Sequence, residues 1–395
     1  MKLSSRVNTV LVIFTILFIF GCAKQRQHNA STPLSFDAAI KLIANNIFSQ
    51  EVKKIGPFRT KAVFVVDQII DTDTGEVTKT NKRIADLIAD EGRRSFSEFS
   101  VYEMNSDNLK KADYVIAGVI TQELYERTNK KLPHLVLSVV DVKSGLIASR
   151  SDVWISNDNL SYEPTPMYKD SPMYIKDQRV QALIATAKAE AGSIADKEYF
   201  NSLETNALLD EASNAYDTGN YTLSLGLFAK AAERNDGKIM KTFSGLYQSF
   251  LKLGQADKAE QAFASLTEIG MQNNNLSVKF LFRVNDTEFS GTPNDLKEYS
   301  IWLRQIALRI HDSANCVQIV GHASKSGTDE YNKKLSLRRA QSIQSRLEAG
   351  TSGIATKTRA FGRGFDENII GSGTNDDSDA IDRRVEFKVA RCENL

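Results

Sequence analysis

The sequence is poor in the residues that build metal centres. It has only 4 histidines in 395 residues, and they are too scattered for the ligand spacing of a zinc site. They are His28, His134, His311 and His322. No glycine-rich phosphate loop and no serine in a nucleophile elbow is present. A formal net charge of +1 gives no sign of a nucleic-acid binder. The sequence therefore predicts a protein that is not an enzyme and that needs no cofactor and no metal.

Long apolar runs are also scarce, with one informative exception at the start of the chain. Lys2 and Arg6 precede an apolar stretch, residues 10–20, which ends at Gly21 and Cys22. This stretch is too short to span a bilayer and is typical of the core of a signal peptide. We therefore predict a signal peptide over residues 1–21.

The end of this stretch, Ile19-Phe20-Gly21-Cys22, resembles the lipobox of bacterial lipoproteins. The resemblance implies cleavage before Cys22 and acylation of that residue, palmitate being one of the acyl groups. Several acyl chains on one residue anchor a protein stably. Ala23 stands where the enteric inner-membrane retention pattern has Asp, so the resemblance implies the outer membrane. The alternative is an ordinary secretory signal with a coincidental cysteine.

The length and the patterning predict a multidomain α+β protein. Residues 22–34 are predicted to be a lipidated tether, and residues 35–176 an α/β module with a mixed sheet and a proline-rich end. The phrases at residues 110–120 and 141–145 (KKADYVIAGVI and DVKSG) resemble periplasmic modules of the TolB N-terminal, curli-secretion and penicillin-binding-protein-activator lipoproteins. The resemblance implies a module that binds protein partners and does no chemistry.

Two short motifs in this module leave alternatives open. Residues 71–76 (DTDTGE) are similar to a calcium loop, but Lys82 stands where an EF-hand needs a glutamate, which favours a polar turn. The triplet Pro-Met-Tyr occurs twice, at residues 166–168 and 172–174. It is either an exposed strip for docking a partner or, as we favour, a linker packed on the flank of the first domain.

Residues 177–271 are predicted to be a helical spacer. A pattern of small and aromatic residues repeats at an offset of 35, from Ala212, Gly219 and Phe228 to Tyr247, Gly254 and Phe263. The pattern resembles tetratricopeptide (TPR) repeats, whose period is about 34 residues. Such helical pairs serve as a concave protein-binding face or as a rigid spacer, and the sequence does not choose between them.

Residues 276–395 are predicted to fold in the order βαβαββ. A strand over residues 277–284 comes first, and Thr292-Pro293 marks a helix start. The motifs Gly321-His322, Tyr331-Asn332, Leu335-Ser336, Arg339-Ala340 and Asp382-Arg383-Arg384-Val385-Glu386 resemble the OmpA-like peptidoglycan-binding domain in order and spacing. This domain is the C-terminal domain of outer-membrane protein A and of the peptidoglycan-associated lipoprotein.

The resemblance implies a site for the peptidoglycan stem peptide at its diaminopimelate residue. Arg339 would bind the ligand carboxylate through two hydrogen bonds. Asn332 and Leu335 belong to the same motif, and Arg384 would add positive field. Arg339 is otherwise an exposed helix charge that contributes little to stability. One position departs from the family, because Ser324 replaces the aspartate that meets the ligand ammonium, at a cost of about 1–3 kcal/mol.

Cys316 and Cys392 lie at the ends of two predicted strands, in a compartment that permits disulfides. They are predicted either to form a disulfide or to remain two buried thiols.

The sequence thus predicts an outer-membrane lipoprotein, on the periplasmic face of the cell envelope. It would bind peptidoglycan and scaffold envelope proteins through its first domain and its TPR-like domain. The alternatives are a regulator of a peptidoglycan synthase and an accessory of a secretion, pilus or flagellar assembly, with weak or lost wall binding. A hydrolase is left only as an enzyme whose site has no recognisable motif.

Overall fold

The computed structural model describes residues 30–52, 61–156, 160–283, 285–368 and 382–395. The predicted signal peptide and Cys22 therefore lie outside the described residues. Within the described ranges, every helix is too short or too polar to cross a membrane.

The first domain is built on a mixed sheet of six strands in the order β1-β6-β5-β4-β2-β3. The strands are β1 (Ala30–Leu34), β2 (Ala62–Asp71), β3 (Phe99–Glu103), β4 (Tyr114–Tyr125), β5 (Lys130–Asp141) and β6 (Ile147–Ile155). The helices are α1 (Phe36–Val52), α2 (Lys79–Ser95) and α3 (Ser106–Leu109). The strands β4, β5 and β6 are antiparallel, while β1, β2 and β3 pair with their neighbours in parallel. The predicted α/β module with a mixed sheet is confirmed.

The start of this domain corrects one prediction. Residues 30–34, expected at the end of the tether, form the edge strand β1, and the Ser156 amide donates to the Leu34 carbonyl at 2.7 Å. Their polar sequence gave no strand signal, since the pairing uses backbone groups at the open edge of β6. The helix α3 is capped by Asn105, whose side chain accepts from the amides of Asp107 and Asn108.

The helical region contains two antiparallel helix pairs, as the 35-residue offset predicts. Its helices are α4 (Pro166–Lys169), α5 (Gln178–Lys188), α6 (Lys197–Asn201), α7 (Leu203–Asp217), α8 (Tyr221–Glu233), α9 (Met240–Lys252) and α10 (Ala256–Gln272). Gly219 and Gly254 have φ angles of +79° and +72° and close equivalent turns. The alanine-rich residues 178–200 do not form one helix, because α5 and α6 are separated by a turn at Gly192, whose φ is +88°.

The two Pro-Met-Tyr triplets are packed inside the molecule. Met167 and Met173 are fully buried, and Tyr168 is buried as well. Residues 172–174 run beside the C-terminal domain, where the Tyr174 amide donates to the Ser277 carbonyl at 3.0 Å. The docking-strip hypothesis is therefore wrong, because both methionine side chains and that of Tyr168 are buried and Tyr174 is half-buried beneath the Lys279 ammonium.

The C-terminal domain has the predicted order βαβαββ. Its elements are β7 (Leu276–Val278), α11 (Pro293–Asp312), β8 (Cys316–Gly321), α12 (Asp329–Gly350), β9 (Thr358–Gly362) and β10 (Val385–Ala390). The sheet order is β7-β10-β8-β9. Thr292 and Asp295 form a capping box at the start of α11, as expected from the sequence. The first strand is shorter than the predicted 277–284, because the chain leaves the sheet after Val278.

One apolar core runs through the three parts of the chain. It includes Val115 of the first domain, Phe228 of the helical region and Phe387 of the C-terminal domain. At the boundary of α9 and α11, the Trp302 indole donates to the Tyr247 hydroxyl at 2.7 Å. The helical pairs are thus packed between the two sheets, which favours the spacer over a free concave face.

Candidate functional site

The candidate site lies where β8 ends and α12 begins. A Cβ atom on Gly321 would lie 2.1 Å from the carbonyl oxygen of Ser336, so only glycine lets the strand approach the helix so closely. The Thr328 hydroxyl accepts from the Tyr331 amide at 3.3 Å and starts α12. The turn of residues 322–328 is held against Gly364, whose carbonyl accepts from the Ala323 amide at 2.7 Å. A fixed polar turn therefore lies beside the first turns of the helix.

Arg339 is buried, with 3% of its surface exposed. Its Nε donates to the carbonyl of Asp286 at 3.1 Å, and Nη2 donates to the carbonyl of Arg283 at 3.2 Å. The Phe282 ring lies 5.0 Å from the guanidinium carbon. Burial lowers the pKa of Arg339 to about 10, so the group remains a cation at neutral pH. The alternative of an exposed helix charge is therefore wrong, because the structure places Arg339 under the chain that follows β7.

The segment that covers Arg339 folds as a short hairpin, residues 281–290. The Arg283 amide donates to the Glu288 carbonyl at 2.9 Å, and the Ser290 amide donates to the Leu281 carbonyl at 2.8 Å. Its two phenylalanines, Phe282 and Phe289, form a cross-strand bridge. The hairpin therefore fixes both the ring and the carbonyls that hold the guanidinium.

The other predicted contact residues of α12 and its turn are also buried. Ser324, Asn332 and Leu335 are each at most 4% exposed. The Asn332 amide group donates to the carbonyls of Ser326 at 2.7 Å and of Thr328 at 3.1 Å, so this residue orders the turn. The Ser324 hydroxyl lies 3.3 Å from the Ser326 hydroxyl.

Asp329 does not compensate for the loss of an acid at position 324. Its carboxylate lies 2.9 Å from the Lys333 ammonium, which also contacts Asp366 at 3.2 Å. The carboxylate is therefore engaged with lysine on the helix.

Arg384 lies at the start of β10 and is 5% exposed. Its Nε donates to Glu386 at 2.7 Å, and Nη2 donates to the carbonyl of Glu367 at 3.2 Å. Nη1 is buried without a hydrogen-bond partner among the described residues. The charge of Arg384 is thus compensated by Glu386, whereas the hydrogen bonds of Arg339 go to neutral carbonyls.

Next to Arg384 the described residues include one set of atoms with metal-ligand chemistry. Buried His322 lies 3.5 Å from Glu386 and 3.9 Å from Glu367. The Lys388 ammonium already lies 3.3–3.4 Å from the same two carboxylates and supplies a cation there. Burial lowers the pKa of His322, which favours its neutral form.

Cys316 and Cys392 are joined in a disulfide. Cys316 begins β8, and Cys392 follows the end of β10, the neighbouring antiparallel strand. The bond joins the two inner strands of the sheet at the strand ends that lie away from Gly321 and the candidate site.

Sequence reasoning missed the hairpin that covers Arg339 and the contact that holds the start of this hairpin against the first domain. Lys279 follows β7 and donates to Glu76 of the first domain at 2.6 Å, a pair separated by 203 residues. A signal for the hairpin was available in the alternation of Phe280 and Phe282 before Phe289. Nothing local in the sequence indicated that Glu76 meets Lys279.

Fold and site together define a two-layer α/β binding domain with a buried, carbonyl-held arginine. Residues 281–381 match the model of the OmpA family, so the C-terminal domain is an OmpA-family domain. A search of curated proteins finds no match to the chain.

Solved structures similar to part of this chain include the following three proteins. The peptidoglycan-associated lipoprotein from Burkholderia pseudomallei is 22% identical, with 28% of this chain and 88% of that chain covered and a TM-score of 0.25. The cell wall anchor of the T6SS from Pseudomonas aeruginosa is 27% identical, with 28% and 75% covered and a TM-score of 0.23. A putative MotB-like protein from Desulfovibrio vulgaris is 18% identical, with 34% and 95% covered and a TM-score of 0.26.

Proposed function

We propose that the protein is an outer-membrane lipoprotein that faces the periplasm and binds peptidoglycan non-covalently through its C-terminal domain. The observation that carries this proposal is the environment of Arg339. Its guanidinium is buried, and its hydrogen bonds go to two neutral carbonyls. Buried cations are ordinarily paired with an anion, so this arrangement favours a ligand that supplies one.

The stem peptide of peptidoglycan has the matching chemistry. The Arg339 guanidinium donates to the chain from Nε and Nη2, and Nη1 is the group that would meet a ligand carboxylate. The carbonyls of Arg283 and Asp286 and the Phe282 ring fix the guanidinium before the ligand arrives. A preorganised group loses less entropy on binding. The hydroxyls of Ser324 and Ser326 offer hydrogen bonds to polar groups of the same peptide.

The wall-binding proposal is tested by sedimentation of the detergent-solubilised full chain with purified sacculi. We expect saturable co-sedimentation, with no muropeptide released into the supernatant. Wild-type protein that stays in the supernatant at every sacculus concentration would contradict wall binding. Released muropeptides would instead indicate a hydrolase.

The proposed anchor is a lipid on Cys22. Its support is the lipobox-like sequence Ile19-Phe20-Gly21-Cys22. Cells labelled with radioactive palmitate should yield a labelled protein that the Cys22→Ser variant lacks. Label retained by that variant would contradict the anchor.

We also propose that the first domain recruits envelope proteins and that the helical pairs act as a spacer. The support for the spacer is the packing of α7 and α10 against the neighbouring domains. Pull-down from cross-linked envelope extracts should recover the same partners with the full chain and with variants of Arg339. Partners that are no longer recovered with the Arg339 variants would be proteins that associate through the wall and not through the first domain.

A further inference from the structure

We propose that Lys279 is a positioning residue for the wall site, through which the first domain sets the affinity of the C-terminal domain. The inference rests on the proposed function and concerns the regulation of the same site. The first domain would act through the turn of residues 71–76, which lies more than 200 positions from β7 in the sequence.

The first step is the turn itself. The Asp71 carboxylate accepts from the amides of Asp73 and Thr74, each at 2.9 Å, so the turn is rigid without a metal ion. At its end, Glu76 is buried, with 5% of its side chain exposed. The turn therefore presents one carboxylate at a fixed place against the C-terminal domain.

The second step is the contact of Lys279 with this carboxylate. Its ammonium lies 2.6 Å from Glu76 and 2.7 Å from the Tyr168 carbonyl, above the Tyr174 ring at 4.6 Å. Its own amide donates to the Pro172 carbonyl at 2.9 Å. Both the side chain and the backbone of Lys279 are thus fixed by residues that precede the OmpA-family match.

The third step connects Lys279 to the binding arginine. Only two residues separate Lys279 from Phe282, whose ring lies over the Arg339 guanidinium. The next residue is Arg283, and its backbone carbonyl accepts from Nη2 of Arg339. A shift at Lys279 therefore moves the ring and the carbonyl that hold the guanidinium. Anything that binds the first domain and displaces its turn would change wall affinity, and by linkage the wall would change the affinity of that partner.

The chain contains a matched control. Lys241 lies 3.2 Å from Asp210 and also donates to the neutral Gln68 side chain at 2.8 Å. The two pairs are equally buried, with side chains 15% and 5% exposed in both. Lys241 belongs to α9, which contributes no residue to the described site. Lys241→Met thus removes a comparable ion pair without touching the hairpin.

The test measures sacculus affinity and amide hydrogen exchange on the full chain. Lys279→Met should weaken sacculus binding by about 3- to 30-fold, the range of couplings carried through packed networks. It should also speed exchange at the amides of Arg283 and Ser290, while Lys241→Met changes neither. Glu76→Gln combined with Lys279→Met should recover thermal stability, since no buried charge is left unpaired, but not affinity.

Two outcomes would overturn the inference. One is unchanged exchange of residues 281–290 in Lys279→Met. The other is an equal loss of affinity in Lys279→Met and Lys241→Met, which would reduce the effect to general stability. Failure of the wild type to bind sacculi would remove the proposed function, while the exchange result would still decide whether Lys279 positions the hairpin.

Discussion

Two arginines on α12 show how a binding group differs from a structural one. Arg339 and Arg346 lie two helical turns apart, and each stacks on a phenylalanine, at 5.0 Å and 4.6 Å. Arg346 pairs with the Glu288 carboxylate at 2.8 Å, so its charge is compensated within the chain. Arg339 instead donates to two carbonyls and is far more buried. The same helix therefore carries one arginine that is paired within the chain and one that, in the proposed function, receives an anion from the ligand.

A cluster in the first domain extends the comparison. His134 lies 2.9 Å from both Glu123 and Asp152 and stacks on Trp154. Two carboxylates saturate this ring, so it offers nothing to a ligand. Buried charge alone thus does not mark a site, and Arg339 differs from His134 because its hydrogen bonds go to neutral carbonyls.

The largest expected effect separates the two arginines. Arg339→Ala should weaken sacculus binding about 100-fold, because a charge-assisted pair contributes about 1.5–3 kcal/mol. Arg346→Ala removes the contacts to Glu288 and Phe289 of the hairpin but keeps the binding cation, so it should weaken binding by less than about 10-fold. Sedimentation across a range of sacculus concentrations measures both. Equal loss in the two variants would end the distinction between them.

A smaller effect is expected where the site lacks its acid. Ser324→Asp should tighten binding by about 10-fold, because a carboxylate neutralises the ligand ammonium that a hydroxyl only hydrogen-bonds. The matched control is Ser324→Asn, which adds a side chain of the same size at the same position without a charge. Affinity unchanged by Ser324→Asp would show that the ammonium does not reach this position.

The saturated cluster should affect stability rather than binding. Burial opposes the charged form of His134, but the hydrogen bonds that the ring donates to Asp152 and Glu123 outweigh it and raise the pKa of His134. Its contribution to folding is therefore complete below its ordinary pKa of about 6.5 and is lost as the pH rises through the raised value. Urea denaturation should show that the stability difference between wild type and His134→Gln shrinks as pH rises. A stability difference that grows with pH would contradict an imidazolium that donates hydrogen bonds to both carboxylates.

The smallest effect is expected for an exposed pair. Arg304 contacts Glu260 through two hydrogen bonds, but its side chain is 52% exposed. Arg304→Ala should lower the free energy of unfolding by less than about 1 kcal/mol and leave sacculus binding unchanged. A loss of sacculus binding in Arg304→Ala would show that the burial and the hydrogen-bond partners of an arginine do not tell whether it takes part in binding.

Local signals predicted most of the fold. Thr292 and Pro293 fixed the start of α11, and two glycines 35 positions apart marked the turns of the helix pairs. The order βαβαββ and the family of the C-terminal domain also followed from the sequence, because their motifs are dense. The edge strand at residues 30–34 did not, since its pairing depends on the open backbone of β6.

The environment of the site was beyond sequence reasoning for a related reason. Arg339 meets Arg283 and Asp286 across 53–56 positions, and Glu76 meets Lys279 across 203. Neither contact leaves a periodic or spacing signal. The motif located the arginine, and only the folded chain showed that its hydrogen bonds go to neutral carbonyls.

The central claim is that Arg339 receives a carboxylate from the wall peptide, and it is best tested from the side of the ligand. Calorimetric titration of the full chain should compare a soluble stem tripeptide ending in diaminopimelate with the same peptide amidated at that residue's carboxylates. We predict saturable binding of the free acid and a loss of about 10- to 100-fold on amidation. Equal affinity for the two peptides would contradict the claim.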